Sequence, residues 1–215
     1  METSAVAVST VELATGQGPA KVMLARAKRP VFLLVMTHGA GGGTETADVL
    51  AASEAAAGLG ASVARVLQPY RVRGASAPGN ADKQDAAWLE IIAALRQRHQ
   101  DIPLVQGGRS NGARVACRTA RAAGAAAVIA LAFPLHPPGR PENSRAGELR
   151  EAGTDVLVIN GERDPFGIPA AADASRVVVL PGETHSLSRH PQAVRTAVAD
   201  WLNELPALRA DGPKG

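Results

Sequence analysis

The stretch Leu104-Val105-Gln106-Gly107-Gly108-Arg109-Ser110-Asn111-Gly112-Ala113-Arg114-Val115-Ala116-Cys117 begins as an apolar strand and ends as a helix. Between the two stands the pattern Gly-x-Ser-x-Gly, from Gly108 to Gly112. A strand can pass into a helix within so few residues only through a sharp turn, and a Cβ two places before or after the serine would clash there. Such a turn lifts the Ser110 hydroxyl out of the sheet. It also leaves the Asn111 N–H at a helix N-terminus, where it can donate to a developing oxyanion.

A serine hydroxyl becomes a nucleophile when a histidine removes its proton and a carboxylate orients that histidine. Downstream, Asp164 lies in Gly161-Glu162-Arg163-Asp164-Pro165-Phe166-Gly167, directly after the apolar run Val156–Ile159. His185 lies in Gly182-Glu183-Thr184-His185-Ser186, directly after Val177–Leu180. The order Ser110, Asp164, His185 on successive loops after strands is that of a Ser-Asp-His hydrolase. His190 and His99 read as surface residues and Asp155 as lying at the opposite end of its strand. Asp173 and Asp200 read as surface charges, and His136 as a residue at a strand end that can touch substrate.

Upstream, Thr37-His38-Gly39-Ala40-Gly41-Gly42-Gly43 follows the apolar run Val31–Met36. A glycine-rich loop here can bring a second backbone N–H, that of Ala40 or Gly41, to the oxyanion, with His38 holding the loop. A dinucleotide fingerprint counted from Gly39 would need Gly or Ala where Thr44 stands, and no Gly-Lys-Ser/Thr triplet exists for a phosphate loop. No His-Glu-x-x-His or paired Cys-x-x-Cys is present, so neither a metal nor any other cofactor is expected.

The rest of the chain supplies a frame for these loops. Thr10–Leu13 and Lys21–Leu24 flank the turn Gly16-Gln17-Gly18-Pro19 and read as an antiparallel hairpin. Val31–Met36, Ser62–Leu67, Leu104–Gln106, Ala126–Ala132, Val156–Ile159 and Val177–Leu180 are short unbroken apolar runs, which mark strands buried on both faces of a mainly parallel sheet. Trp88, Ile91, Ile92 and Leu95, after a candidate cap at Asn80, recur at helical spacing, as do Val194, Val198, Trp201, Leu202 and Leu205. Alternation of this kind predicts a three-layer α/β/α sandwich with ligands at the carboxyl ends of the strands. One domain is expected over residues 1–206, with 207–215 as a frayed tail.

Composition agrees with one packed domain. The 215 residues are 46% hydrophobic, 3% aromatic and 20% charged, and 43 of them are alanine, so the core must rely on aliphatic side chains and close backbone approach. A formal net charge of +3 with few aromatics argues against a nucleic-acid partner. The longest apolar run, Ala125 to Phe133, is far short of the roughly 18 residues of a membrane span. The acidic start Met1-Glu2-Thr3 does not read as a secretory signal, and the lone Cys117 fits a reducing compartment, so a cytoplasmic location is expected.

Together these motifs resemble the α/β-hydrolase superfamily over nearly the whole chain. His38-Gly39-Ala40-Gly41-Gly42, Gly108-Arg109-Ser110-Asn111-Gly112, Ala132-Phe133-Pro134-Leu135-His136-Pro137-Pro138 and Gly161-Glu162-Arg163-Asp164-Pro165 are similar to the small bacterial, dienelactone-hydrolase-like branch. The resemblance implies about eight strands, most of them parallel, and hydrolase chemistry. Dienelactone hydrolases proper carry cysteine at the elbow where this chain has Ser110, so their substrate does not carry over. Animal relatives of the branch include a subunit of a chromatin acetyltransferase complex, so the scaffold also serves assembly.

The expected activity is hydrolysis of a small soluble carboxyl ester through an acyl-enzyme. Thioester or amide cleavage by the same residues, or an idle interaction module, are the alternatives. Only 22 residues separate Ala132 from Asp155, too few for a large lid. Arg71, Arg73, Arg109, Arg140 and Arg163 all fall on or beside loops after strands and are expected, with His38 and His136, around the mouth, where they would favour an anionic substrate. The sequence leaves oligomeric state open.

Overall fold

A computed structural model describes residues 8–208. The hairpin forms as β1 (Val8–Leu13) and β2 (Ala20–Ala25), paired antiparallel. The remaining strands are β3 (Leu33–Thr37), β4 (Ser62–Leu67), β5 (Leu104–Arg109), β6 (Ala127–Leu131), β7 (Asp155–Gly161) and β8 (Arg176–Leu180). They complete one eight-stranded sheet in the order β1-β2-β4-β3-β5-β6-β7-β8. β2 meets β4 antiparallel and every later pairing is parallel.

β3 to β7 are buried on both faces, as their apolar runs require, whereas β8, read from its run Val177–Leu180 as equally buried, is an edge strand that leaves Val179 exposed because no strand lies beyond it. In β3, Leu34 and Met36 pack on one side beneath α1 (Ala47–Gly58) and α6 (Pro191–Glu204). Leu33 and Val35 pack on the other beneath α3 (Ala81–Arg96), with Trp88, Ile91, Ile92 and Leu95 facing the sheet. α4 (Asn111–Ala123) covers the same side further along, over β6 and β7. Two further helices are short: α2 (Pro69–Val72) and α5 (Ala146–Arg150). The expected three layers are therefore present, and alanine supplies the close approach. Ala51, Ala52, Ala55 and Ala56 of α1 and Ala113, Ala116 and Ala120 of α4 are all buried.

Asn80 caps α3 through a bond from the Lys83 N–H to its side chain (3.1 Å). Within the core, the fully buried Gln106 of β5 accepts from Trp88 Nε1 (2.9 Å) and donates to the Ala116 carbonyl (2.6 Å), tying α3 and α4 to the central strand. Between β6 and β7 the only helix is the five-residue α5, so nothing in that segment builds a helical lid. At the C-terminus, Pro206–Leu208 form a 3-10 turn and Leu208 packs against the core. Residues 209–215 of the expected tail, like residues 1–7, lie outside the described residues. None of the described helices is long and apolar enough to cross a membrane.

Candidate active site

The strand-to-helix turn is as sharp as its glycines demand. β5 ends at Arg109, Ser110 takes φ 52° and ψ −114°, and α4 begins at Asn111. A side chain at positive φ costs on the order of 1–3 kcal/mol and persists only where its surroundings impose it. Here the Ser110 N–H donates to the Leu131 carbonyl at 2.8 Å. A Cβ on Gly108 would lie 2.5 Å from the Gly112 carbonyl carbon, and one on Gly112 would lie 2.6 Å from the His38 carbonyl oxygen. Both glycines are thus sterically required, the second because the turn rests directly on the end of β3.

Ser110, His185 and Asp164 meet although 75 residues separate the first two. Ser110 Oγ lies 2.9 Å from His185 Nε2, and His185 Nδ1 lies 2.8 Å from Asp164 Oδ2. An ionised Asp164 accepts from Nδ1–H, which leaves Nε2 with a lone pair facing the serine hydroxyl. The Asp164 side chain is wholly buried, and its second oxygen accepts from the Phe166 N–H at 2.9 Å. The Phe166 ring covers the imidazole with centroids 4.3 Å apart.

Asn160, which sequence reasoning did not single out, anchors this acid loop. Buried at the end of β7, it accepts from the Phe133 N–H (2.9 Å) and donates to the carbonyls of Phe133 (3.0 Å) and Gly167 (3.1 Å). Its signal is an amide closing the otherwise apolar run Val156–Ile159. Glu183, also missed, is fully buried and accepts from the His190 N–H at 2.6 Å, pinning the far end of the histidine loop.

Across the site, the loop after β3 offers one of its two expected donors. The Gly41 N–H is already given to the Ser76 carbonyl at 3.0 Å, so it is not free to donate elsewhere. Ala40 is exposed, and no group among the described residues accepts from its N–H. Asn111 is the first residue of α4, so its N–H has no intrahelical acceptor. Its side chain is steered aside by a 3.1 Å bond to Gln84 Oε1.

A family model described as an alpha/beta hydrolase domain matches residues 30–201. The chain belongs to that family. Among solved structures, the alpha/beta hydrolase is similar to an alpha-beta serine hydrolase homologue from Coxiella burnetii, with a TM-score of 0.75 at 18% identity over 90% of this chain and 97% of that one. It is similar also to a serine hydrolase without lid from Xanthomonas campestris, with a TM-score of 0.70 at 22% identity over 93% and 96%. Dienelactone hydrolase from Anabaena variabilis matches with a TM-score of 0.71 at 17% identity over 93% and 98%. No curated protein matches the sequence.

Of the five arginines expected around the mouth, Arg71, Arg73 and Arg109 have partners within the chain. Arg71 donates to the carbonyls of Gly42 and Ala75, each at 3.0 Å, and so staples the β3 loop to the segment after α2. Arg73 is exposed but gives a guanidinium N–H to the Gln17 carbonyl in the hairpin turn. Arg109 faces Asp48 at 3.1 Å. Arg140 and Arg163 are exposed, and the Arg163 N–H joins the acid and histidine loops through the Glu183 carbonyl at 2.8 Å. Arginine's planar fork suits several acceptors at once: Arg71 is spent on two carbonyls, Arg73 on one, and Arg109 on a carboxylate and a carbonyl.

His38 is not at the mouth. It is wholly buried, donates from Nδ1 to the Gly39 carbonyl (2.7 Å) and accepts the Gln68 N–H on Nε2 (3.0 Å). Burial lowers its pKa. His136 is half-buried in the proline-rich segment: its N–H donates to the Phe166 carbonyl at 3.0 Å and its ring lies over Gly167, against the acid loop. Asp173 is likewise not a surface charge; it is buried, paired with Arg150 at 2.7 Å and accepting from the Ala170 N–H at 2.8 Å. Cys117 is buried within α4, and burial pushes its thiol pKa up, which suits a packing group.

Proposed function

We propose that this alpha/beta hydrolase cleaves a carboxyl ester of a small soluble substrate through an acyl-enzyme on Ser110. The observation that carries the proposal is the unbroken relay Ser110 Oγ to His185 Nε2 (2.9 Å) and His185 Nδ1 to Asp164 Oδ2 (2.8 Å). Ser110 Oγ attacks the ester carbonyl carbon while His185 Nε2 takes its proton, and Asp164 holds the imidazolium that forms. The negative oxygen accepts from the N–H groups of Asn111 and Ala40. As the tetrahedral intermediate collapses, His185 returns the proton to the departing alcohol. Water then attacks the acyl-enzyme with His185 again as base, releasing the carboxylic acid and restoring Ser110.

The short segment between β6 and β7 supports an open site for small acyl groups. The commitment of Arg71 and Arg109 to internal partners supports a neutral ester over a highly charged one. Thioesters and amides meet the same atoms, so a substrate panel orders the three. The one cysteine, buried and unpaired, supports a cytoplasmic setting.

The test is intact mass after exposure to a fluorophosphonate. Wild type should gain one covalent adduct, whereas Ser110→Ala and His185→Ala should gain none. Turnover of an activated ester should fall on the order of 10⁴-fold or more in both variants. A folded wild type that takes up no adduct would overturn the proposal and turn attention to an idle module with binding partners.

A further inference from the structure

The residue between Gly108 and Ser110 is sterically free in a pattern that constrains only the glycines and the serine, yet Arg109 is turned into the protein against a buried carboxylate. Its side chain is 17% exposed and its partner Asp48 is 0% exposed. The guanidinium touches three segments. Nε lies 3.1 Å from Asp48 Oδ2, and Nη2 donates to the His185 carbonyl at 3.0 Å. Nη1 lies over Gly39, where a Cβ would come within 3.1 Å of it and within 3.2 Å of Ser110 Cβ.

Asp48 stands in the first turn of α1, its other oxygen accepting from the Val49 N–H at 2.9 Å. Burial pushes the Asp48 pKa up, and Arg109 beside it is the cation that favours its carboxylate form. The charge is therefore used inside the protein before any substrate arrives. Its effect falls on the histidine loop, which leaves the edge strand β8, paired only with β7, and must reach inward as far as Ser110 on β5. Arg109 spans that gap directly from the elbow to the backbone of the residue carrying the imidazole.

We propose that Arg109, held by Asp48, is a positioning residue that fixes the His185 carbonyl and with it the approach of the imidazole to Ser110, and that it does not bind substrate. This rests on the reading of Ser110, His185 and Asp164 as a relay.

The test uses two esters of equal size, one neutral and one bearing a carboxylate, together with the rate of fluorophosphonate labelling of Ser110. Single loss of Arg109 strands a buried carboxylate, so the main variant is the double Asp48→Asn/Arg109→Gln, which removes both charges. It should lower kcat and the labelling rate about 10-fold to 100-fold, the scale of a small misplacement, by the same factor for both esters and with KM nearly unchanged. Arg109→Lys should recover only part, because an ammonium cannot serve Asp48 and the carbonyl together. A loss confined to the carboxylate ester and expressed in KM would make Arg109 a substrate cation and overturn the proposal. So would unchanged kcat and labelling in a variant of lower melting temperature. Proton NMR decides the same point without turnover: the low-field resonance of the His185 Nδ1 proton should broaden or vanish in the folded double variant. Its persistence unchanged overturns the positioning role even if wild type proves unreactive, whereas unreactive wild type with a resonance that depends on Arg109 overturns only the ester-hydrolase reading.

Discussion

His38 and His185 both follow a strand, both sit in loops with glycine close by, and both have each ring nitrogen engaged, yet the two loops are built oppositely. His38 spends its nitrogens on backbone, the Gly39 carbonyl and the Gln68 N–H, and is sealed from solvent. The hydrogen bonds beside it join neutral groups, Thr37 donating to the Val66 carbonyl at 3.0 Å and Gln68 to Thr37 at 3.2 Å, and the one nearby charge named for it, Arg71, braces the same loop through the Gly42 carbonyl. His185 spends its nitrogens on side chains that can exchange a proton, and the groups around it include Asp164, Glu183 and Arg109. In the proposed reading the β3 loop only presents an N–H, and hydrogen bonds to backbone hold its histidine. A loop that moves a proton needs charge nearby, and that charge must in turn be buried and paired.

The largest effect that separates the two loops is expected at Asp164. Asp164→Asn keeps the shape but gives His185 Nδ1 an amide donor to face, which favours the wrong tautomer. Turnover of an activated ester should drop on the order of 10⁴-fold with the fold intact, as read by kcat and by thermal melting. His38→Gln should leave kcat within a few-fold. If His38→Gln cost as much turnover as Asp164→Asn, the division into strut and relay would fail.

Next in size is Asn160, the neutral strut on the charged side. Asn160→Leu strands the Phe133 N–H and two carbonyls in the core, at about 3 kcal/mol. The melting temperature should fall by about 6–12 °C for a chain of this size. Because Asn160 also holds the Gly167 end of the acid loop, fluorophosphonate labelling at a temperature where the variant is folded should slow as well. A melting shift without slower labelling would show that Asp164 is placed by its own bond to the Phe166 N–H alone.

Legibility followed the same division between strongly patterned and context-dependent residues. Ser110, Asp164 and His185 were readable because each stands on a loop after an apolar run, and the hairpin and the helices carrying Trp88 and Trp201 were readable by period. α1 was not, because alanine on nearly every face of Ala47–Gly58 leaves no apolar stripe. With α1 went Asp48, whose partner lies 61 positions away, and hence the role of Arg109. Three of the five arginines have partners that the sequence does not announce. A sequence shows that a cation follows a strand; whether its fork closes on carbonyls of its own chain depends on segments distant in sequence, as Arg71 on Gly42 and Arg73 on Gln17 demonstrate. The bond from the Gly41 N–H was hidden for the same reason, since its acceptor, Ser76, belongs to another loop.

The smallest effect is the pH dependence that His38 gives to stability. Burial disfavours the imidazolium, so its pKa in the folded chain is lowered from 6.5, and the unfolded chain binds the proton more readily than the folded one. The sign follows directly: stability is complete above the unfolded value and is lost as pH falls below 6.5 toward the folded pKa, by up to about 1.4 kcal/mol per pH unit for one proton. His99, also lowered by burial, adds a contribution of the same sign from α3's C-terminal side. His38→Gln replaces the ring with an amide that can still donate and accept but does not titrate. Urea unfolding of this variant at pH 5 and pH 7 should show a smaller difference than wild type, the remainder belonging in part to His99. An unchanged difference would mean that His38 charges in place, and the β3 loop would then be as sensitive to protons as the loop that carries His185.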